Sequence, residues 1–211
     1  MALNINGTTG ISGVDGSASA PVLQGTDSNT GISFGTDIVN LNTAGNERLK
    51  VNSTGIITAP YQAAFTAWSS INSFSLAAGG KVPFNEVGTG FGNFTPRDTH
   101  GGTDLYSTTN RRYTAPVTGL YFFNVAIYFH ATNNANLCSI VPRVNGNQLS
   151  NGNNTIFFIS ANGHSEGHTP NGSLLLQLDA NDYIEIYRRT GQSGTNSCYG
   201  AHSHFQGFLV G

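Results

Sequence analysis

The segment Arg112–Phe123, with the sequence RYTAPVTGLYFF, predicts a turn followed by a strand, and the strand continues as NVAIYFHAT. Because successive side chains of a strand point to opposite faces, this strand presents two sets of residues. One face carries Tyr121, Phe123, Val125, Ile127 and Phe129, and the other carries Leu120, Phe122, Ala126 and Tyr128. A strand in a lone antiparallel sandwich normally has one polar face, whereas both faces are apolar in this segment. The pattern therefore predicts that a sandwich core covers one side and that another subunit covers the other.

The small number of charged side chains argues against several classes of function. Asp, Glu, Lys and Arg make up 9% of the 211 residues, against about 25% in an average soluble domain. A net charge of −2 gives no attractive field for nucleic acid or for an anionic membrane. No apolar run approaches the roughly 20 residues that a membrane helix needs. We therefore expect no nucleic-acid partner and no insertion into a membrane, and the many Gly, Asn, Ser and Thr residues favour strands and tight turns.

Two further segments contrast a strand that has a polar face with a strand that is covered on both faces. In Asp182–Arg188, Ile184 and Ile186 alternate with tyrosine or charged side chains, which is typical of a strand in an outer sheet. His204–Val210 is apolar on both sides, so we expect it in a sheet that faces other subunits. Its two sets are Phe205 with Leu209 and Phe208 with Val210. The dipeptide Asn145-Gly146 predicts a two-residue hairpin turn, because both residues tolerate positive φ.

Four separated motifs carry a family resemblance. They are VPFNEV at Val82–Val87, RYTAPVTGLYFF, SLLLQLDANDYIEI at Ser173–Ile186 and HFQGFLVG at His204–Gly211, and AAFTA at Ala63–Ala67 fits a first strand. Over residues 61–211 the chain resembles the globular head of complement component 1q, whose jelly roll is shared in outline with tumour necrosis factor. The resemblance implies an all-β fold, an antiparallel ten-stranded jelly-roll sandwich that forms a trimeric knob around a three-fold axis. It does not imply a particular ligand, because one fold serves many partners.

The resemblance also implies which residues meet at the three-fold axis. The inner-sheet side chains expected in this trimer interface are Leu120, Phe122, Tyr128, His204, Gln206, Phe208 and Val210. Histidines near such an axis bring three imidazoles together, which is suitable chemistry for Zn, Ni or Fe. His202 and His204 are therefore weak candidates for a metal site, and packing or hydrogen bonding in the interface is the preferred interpretation. We assign no metal and no cofactor.

Residues 1–60 differ in character from the head. They are rich in Gly, Ser, Thr and Asn with short apolar pairs, so a free copy is expected to be disordered, and three copies wound together or a partner would order it. A Gly-X-Y period is absent, and with it a collagen stalk. The segment Gly31–Gly55, GISFGTDIVNLNTAGNERLKVNSTG, resembles segments of tail-fibre and other virion proteins of bacterial viruses. We expect an extended β-rich arm that ends near Ala59-Pro60, where proline disfavours regular structure.

These features lead to three hypotheses of function. The first is a structural protein of the virion, a trimeric tail fibre or fibre knob that attaches to the host surface, with residues 1–60 bound to other virion proteins. A trimer that decorates or cements the capsid is the alternative, since both need an anchor and a knob. The start MALNINGTTG lacks the basic and apolar regions of a signal peptide, which favours assembly in the host cytoplasm. If a signal has been removed, a secreted complement-like lectin or pattern-recognition protein is the third hypothesis.

Catalysis is not expected. The sequence GHSEG at Gly163–Gly167 matches the G-x-S-x-G pattern of hydrolases. That pattern needs a strand before the serine and a helix after it, whereas the flanks ISAN and HTPNG favour loops. We therefore assign no catalytic role to Ser165 and predict that the protein is not an enzyme.

Long polar loops of the head offer a place for recognition, because the strand faces are committed to the core and to the interface. The loops expected are Gly88–Asn110, Asn147–Asn154, Asn162–Asn171 and Gly191–His202. Their aromatic, amide and imidazole groups suit a carbohydrate, so a host cell-surface glycan is the candidate ligand. The alternative is that these loops are only solvated connections and that the knob serves as a spacer or cement. The candidate residues are Phe91, Phe94, Tyr106, Asn153, His164, His168 and Tyr199.

The two cysteines, Cys138 and Cys198, leave the question of a disulfide open. They are expected either as two small buried residues or, because the topology that the resemblance implies brings their strands side by side, as a bridge. Synthesis in a cytosol disfavours early bridging.

Overall fold

A computed structural model describes residues 4–6, 10–12, 14–87, 99–100, 103–130, 139–151, 154–155, 167, 169, 171–190 and 194–211. The chain divides into two compact units, Met1–Gln62 and Ala63–Gly211, and the division lies close to the predicted change of character near Pro60. All paired strands are antiparallel, and the described residues contain no α-helix. Consequently, no helix of the described part is long and apolar enough to cross a membrane.

In the N-terminal unit, the described residues form seven strands. They are β1 (Asn4–Asn6), β2 (Gly10–Ser12), β3 (Leu23–Gln24), β4 (Gly31–Gly35), β5 (Ile38–Thr43), β6 (Asn46–Val51) and β7 (Ile57–Thr58). The first two pair as a hairpin, and β3 to β7 form one five-stranded sheet in chain order.

The sheet β3–β7 differs from the disorder that we predicted for a free copy, and turn chemistry accounts for the difference. Ala44 and Gly45 have φ of 50° and 73°, the left-handed conformations that a two-residue hairpin turn needs. The Asn52 side chain closes the next turn, since its Oδ1 accepts hydrogen bonds from the backbone N–H groups of Thr54 at 3.0 Å and Ile56 at 2.9 Å. Local turns therefore define these strands without an apolar core.

In the part of the head that the structure describes, there are fifteen further strands. They are β8 (Ala64–Trp68), β9 (Ser73–Ala77), β10 (Glu86–Val87), β11 (Thr99–His100), β12 (Thr103–Asp104), β13 (Tyr106–Ser107), β14 (Arg112–Thr114), β15 (Gly119–Phe129), β16 (Ile140–Val144), β17 (Asn147–Gln148), β18 (Ser150–Asn151), β19 (Asn154–Thr155), β20 (Asn171–Leu178), β21 (Tyr183–Arg188) and β22 (Thr195–Leu209). One sheet has six strands in the order β10-β8-β22-β15-β20, with β9 paired to β22. The other has five in the order β13-β14-β21-β16-β17.

Aromatic side chains from both sheets form the core of the head. Phe65 of the six-stranded sheet stacks on Tyr113 of the five-stranded sheet with ring centroids 4.5 Å apart, and it meets the edge of Phe205 at 4.9 Å. The inward residues predicted for β15 are all buried, namely Tyr121, Phe123, Val125, Ile127 and Phe129. The predicted alternation of this strand is therefore confirmed.

Two predictions for the five-stranded sheet also agree with the structure. Ile184 and Ile186 of β21 are buried, as expected of an outer-sheet strand. Asn145 and Gly146 have φ of 52° and 78° and join β16 to β17, which confirms the hairpin turn. Cys198 is buried in the core, whereas Cys138 lies outside the described residues, so the disulfide question stays open.

Arg188, at the end of β21, is a buried cation that the sequence reasoning missed. Its guanidinium is fully inside the head, and Nη1 donates to the carbonyl oxygens of Leu76 at 2.8 Å and Gly194 at 2.6 Å. These contacts connect the ends of three strands, because Leu76 belongs to β9 and Gly194 precedes β22.

Candidate functional site

The outward side of the six-stranded sheet is the candidate functional surface, and we call it the head face. Strand register places its residues in rows across β20, β15, β22 and β8. The first row is apolar and consists of Leu175, Phe122, Phe208 and Ala64. The rings of Phe122 and Phe208 lie 5.3 Å apart, while Leu175 and Phe208 expose 57% and 46% of their surface. Large apolar side chains are thus left in contact with solvent in a single copy of the chain.

The second row of the head face is polar but uncharged. It consists of Ser173, Asn124, Gln206 and Thr66. The Asn124 amide donates to Ser173 Oγ at 3.1 Å, and its Oδ1 lies 3.1 Å from His204 Nε2 in the adjacent row. None of the strands β8, β15, β20 and β22, which the structure describes in full, contains Asp, Glu, Lys or Arg. The surface consequently has no ionic group along these four strands.

Aromatic and imidazole rings gather at the end of the head face, where β22 is irregular. The register between β15 and β22 shifts between Ala126 and Tyr128. Beyond the shift, the His202 ring lies 4.8 Å from the Tyr199 ring and 5.5 Å from the Tyr128 ring, measured between centroids. His204 lies before the shift, and burial lowers its pKa below the ordinary value of 6.5. The described residues contain no group of three or more His, Cys, Asp or Glu that could hold a metal ion.

A hollow of about 270 Å³ opens on the head face beside the apolar row. Its lining consists of Ala64, Phe65, Thr66, Phe122, Gln206, Gly207 and Phe208. The backbone at Gly207 runs against the core, where a Cβ would lie 2.5 Å from Phe123 Cδ1. We did not single out this glycine, although an isolated Gly inside an apolar strand, as in HFQGFLVG, is the signal of such a close approach.

The head face brings together the side chains that were predicted for the interface. These are Leu120, Phe122, Tyr128, His204, Gln206, Phe208 and Val210, which lie on β15, on β22 or directly after β22. Contact of these residues with another subunit stays a prediction. Sequence reasoning missed Leu175, Ala64 and Thr66, because their place on the face depends on which strands pair with β15 and β22.

Most of the residues predicted to bind a ligand through loops are not described by the structure. Phe91, Phe94, Asn153, His164 and His168 lie outside the described residues, as does Ser165 of the GHSEG motif.

Tyr106 was wrong as a loop residue that presents its ring to a ligand. It lies in β13 and is 2% exposed, its ring stacks on Phe65 at 5.5 Å, and its hydroxyl donates to the Phe84 carbonyl at 3.0 Å. The reason is that a tyrosine can bury its ring in a core when its hydroxyl finds a backbone acceptor.

Tyr199 was also wrong as a loop residue. The predicted loop Gly191–His202 is largely strand, since β22 begins at Thr195 and pairs with β9 from there to Tyr199. Tyr199 is half-buried on the head face, beside the Tyr128 ring at 6.3 Å.

Comparison with known proteins identifies the architecture of the head. The model of the C1q domain matches residues 64–210. The globular domain of zebrafish complement 1qA protein is 18% identical, covers 71% of this chain and 98% of its own, and superimposes with a TM-score of 0.50. The Eiger TNF of S. frugiperda is 13% identical, with 71% and 93% of the two chains covered and a TM-score of 0.50. The head therefore has the all-β, antiparallel jelly-roll fold of these domains.

A phage-element protein is similar in sequence. The phage-like element PBSX protein XkdV of Bacillus subtilis (strain 168) is 28% identical over 142 residues, which cover 64% of this chain. The chain spans about a fifth of the length of this curated relative, of which 20% is matched.

Proposed function

The chain belongs to the C1q domain family, and from that premise we propose that it is a structural protein of a bacterial virus, a trimeric tail fibre or fibre knob. The observation that carries the proposal is the apolar head face, which lacks ionic groups along its four main strands, in a chain similar to a phage-element protein. In this proposal the head assembles as a homotrimer through the head face. The N-terminal residues 1–60 connect the trimer to other proteins of the virion, which is assembled in the host cytoplasm.

The exposure of apolar side chains supports the homotrimer. Leu175, Phe208 and Val210 expose 57%, 46% and 50% of their surface in a single copy. Full burial of one such side chain contributes about 1.5–3 kcal/mol, and three copies bring three sets of these residues together. A hollow of about 270 Å³ beside them has room for a side chain from a neighbouring copy. Assembly of this kind makes the folded monomer scarce at micromolar concentration.

The head projects from the particle in this proposal and contacts a glycan of the host surface through its loops. Support comes from the commitment of strand faces to core and interface, which leaves loops for recognition. The aromatic and amide groups at Phe91, Phe94 and Asn153 suit a sugar ring and its hydroxyl groups. No catalytic step is part of the proposal.

Particles purified from a culture that produces this chain provide the test. Mass spectrometry of the particles should detect the chain, and a gold-labelled antibody against the head should label the tip of the tail fibres in electron micrographs. Label on the capsid would support the alternative, a decorating trimer. Absence of the chain from particles, together with its presence in the culture medium, would contradict a virion role and favour a secreted recognition protein.

Binding to the host is tested separately with the purified full-length chain and whole host cells. We expect the wild-type chain to bind, and we expect a variant with short Gly/Ser turns in place of residues 88–98 and 162–170, within two of the predicted loops, to lose this binding. Equal binding by that variant would contradict recognition through these loops.

A further inference from the structure

We propose that the N-terminal unit contains a second self-association surface, at which the apolar side of the sheet β3–β7 packs against the same side of the other copies. This inference rests on the proposed homotrimer and goes beyond it, because the head alone would suffice to hold three copies together. It assigns residues 23–57 an assembly role of their own.

Strand register places two apolar rows on one side of this sheet, while Thr43 and Asn46 form a polar end of the same side. The pairings Ile32 with Leu41 and Phe34 with Val39 place these residues on one side, and the pairings of β3, β6 and β7 extend both rows. The complete set, which we call the N-terminal face, is Leu23, Ile32, Phe34, Val39, Leu41, Leu49, Val51 and Ile57. Eight apolar side chains on one side of a small sheet are too many for a surface that faces water.

In the sheet β3–β7, polar side chains are buried on one side and apolar side chains are exposed on the other, which is the reverse of an ordinary sheet. On the opposite side, Ser33 and Asn42 are 1% and 2% exposed, and the Asn42 amide donates to Ser33 Oγ at 2.9 Å. On the N-terminal face, Leu41 and Ile57 expose 44% and 65% of their surface. A single copy thus buries hydroxyl and amide groups and leaves leucine and isoleucine in water. The missing layer belongs on the N-terminal face, because one sheet cannot enclose a core by itself.

Charge favours an apolar partner for this face. Glu47 and Lys50 lie 3.7 Å apart and share the opposite side of the sheet, since they pair with Asn42 and Asn40. Arg48 reaches the polar end of the same side, where its Nε donates to Thr43 Oγ1 at 2.8 Å and its guanidinium lies over the Tyr61 ring at 4.2 Å, so its charge already has partners within the chain. A partner with ionic groups over the two apolar rows would lose their hydration without compensation. The face is complementary to another copy of itself.

The covalent connection to the head favours a second copy over other apolar partners. The N-terminal unit ends at Gln62, and Ala64 already pairs with Phe208 in the apolar row of the head face. Three heads that meet through this row therefore hold the first residues after three N-terminal units close together. Tethering of this kind gives an effective concentration in the millimolar range, at which weak apolar contacts between copies form.

Ile57 and Thr58 provide a matched pair of variants for the test. Both lie in the edge strand β7 and are exposed in a single copy, but only Ile57 belongs to the N-terminal face. In the full-length chain, Ile57→Asp should raise amide hydrogen exchange in β4–β6 by about tenfold or more, because a buried carboxylate disrupts packing between copies. Thr58→Asp, which lies opposite Lys50, should leave exchange unchanged. Equal exchange in the two variants would overturn the inference.

Cross-linking tests the identity of the partner and does not depend on the stability of the aspartate variants. Under mild oxidation Ile57→Cys should give disulfide-linked dimers of the full-length chain, and Thr58→Cys should give several-fold fewer. Absence of linked chains, or protection of β4–β6 only inside purified particles, would assign the face to a different protein and overturn the inference. Sedimentation separates this outcome from failure of the proposed function, since a trimeric wild type with no cross-link rejects the N-terminal contact alone. A monomeric wild type rejects the trimer itself.

Discussion

The two sheets of the head share one core but differ in what they present to the outside. On the five-stranded sheet, Arg112 lies over the Tyr183 ring at 4.2 Å and Arg143 over the Tyr187 ring at 4.0 Å. Lys81 pairs with Glu185 of the same sheet. On the six-stranded sheet, the strands β8, β15, β20 and β22 present phenylalanine, leucine, amide and imidazole groups and no such pair.

This difference indicates which outward face of the sandwich is suited to remain exposed to solvent. Cations over tyrosine rings and a carboxylate with its own lysine keep their stabilisation in a single copy, because each charge has a partner within the chain. Exposed Phe208 and Leu175 gain nothing until another surface covers them. At the edge of the six-stranded sheet, Glu86 of β10 pairs with Trp68 and accepts a hydrogen bond from Ser70 Oγ at 2.9 Å. We therefore assign the face with internal charge partners to the solvent, and the strands β8, β15, β20 and β22 to the proposed interface.

The largest expected effect comes from a charge on the head face. Phe208→Asp places a carboxylate in the apolar row and should dissociate the trimer, since an unpaired charge in an apolar contact costs several kcal/mol. Thr114→Asp on the five-stranded sheet is the control, and it should leave the trimer intact because its side chain faces outward beside Arg112. Sedimentation velocity measures both. If the Phe208→Asp variant remained trimeric, the assignment of the six-stranded sheet to the contact between copies would be contradicted.

An intermediate effect is expected on the charged side. Glu185→Gln removes the partner of Lys81 at a site where the Glu185 side chain is 9% exposed, so the free energy of unfolding should fall by about 1–3 kcal/mol. The trimer should persist, because the change is remote from the head face. Denaturant unfolding and sedimentation of the same sample measure the two quantities. Loss of trimer at unchanged stability would reverse our assignment of the two faces.

The smallest effect concerns pH. Burial lowers the pKa of His204 in the folded protein below its unfolded value of 6.5, so the unfolded chain binds more protons just below pH 6.5. Stability is therefore complete above that pH and declines as the pH falls toward the folded pKa. Thermal unfolding between pH 8 and pH 5 should show this decline.

The variant His204→Gln keeps a hydrogen-bond donor toward Asn124, whose Oδ1 lies 3.1 Å from His204 Nε2, and it should flatten this pH dependence. An equal slope in wild type and variant would show that other groups cause it.

Features that depend on the two-residue period of a strand could be predicted from the sequence. The inward set of β15 and the Asn145-Gly146 turn are confirmed, because alternation and turn conformation are local properties. The pairing of motifs far apart in sequence could be inferred through the resemblance alone. Leu175 was not predicted on the head face, because its position beside Phe122 follows from the register between β20 and β15.

Burial of polar side chains was harder to predict. Tyr106 occurs in a polar stretch, and the acceptor that permits its burial is the carbonyl of Phe84, twenty-two positions earlier. Arg188 follows the inward parity of Ile184 and Ile186, but its acceptors on Leu76 and Gly194 are revealed only by the fold. In the N-terminal unit, the turns were not recognised as sufficient to define a sheet. For Tyr106 and Arg188, the sequence did not reveal the distant hydrogen-bond acceptor that makes burial of the polar group possible.

The absence of charged residues from β8, β15, β20 and β22 has a consequence for the medium in which the head assembles. At 0.1 M ionic strength, dissolved ions screen interactions between exposed charges that lie more than about 10 Å apart, but a contact made of apolar and amide groups has nothing for them to screen. The proposed head trimer should therefore tolerate fresh water and brine alike, and sulfate should strengthen it. The same absence removes electrostatic steering along these strands, so in the proposed assembly copies should meet by unguided diffusion and associate correspondingly slowly.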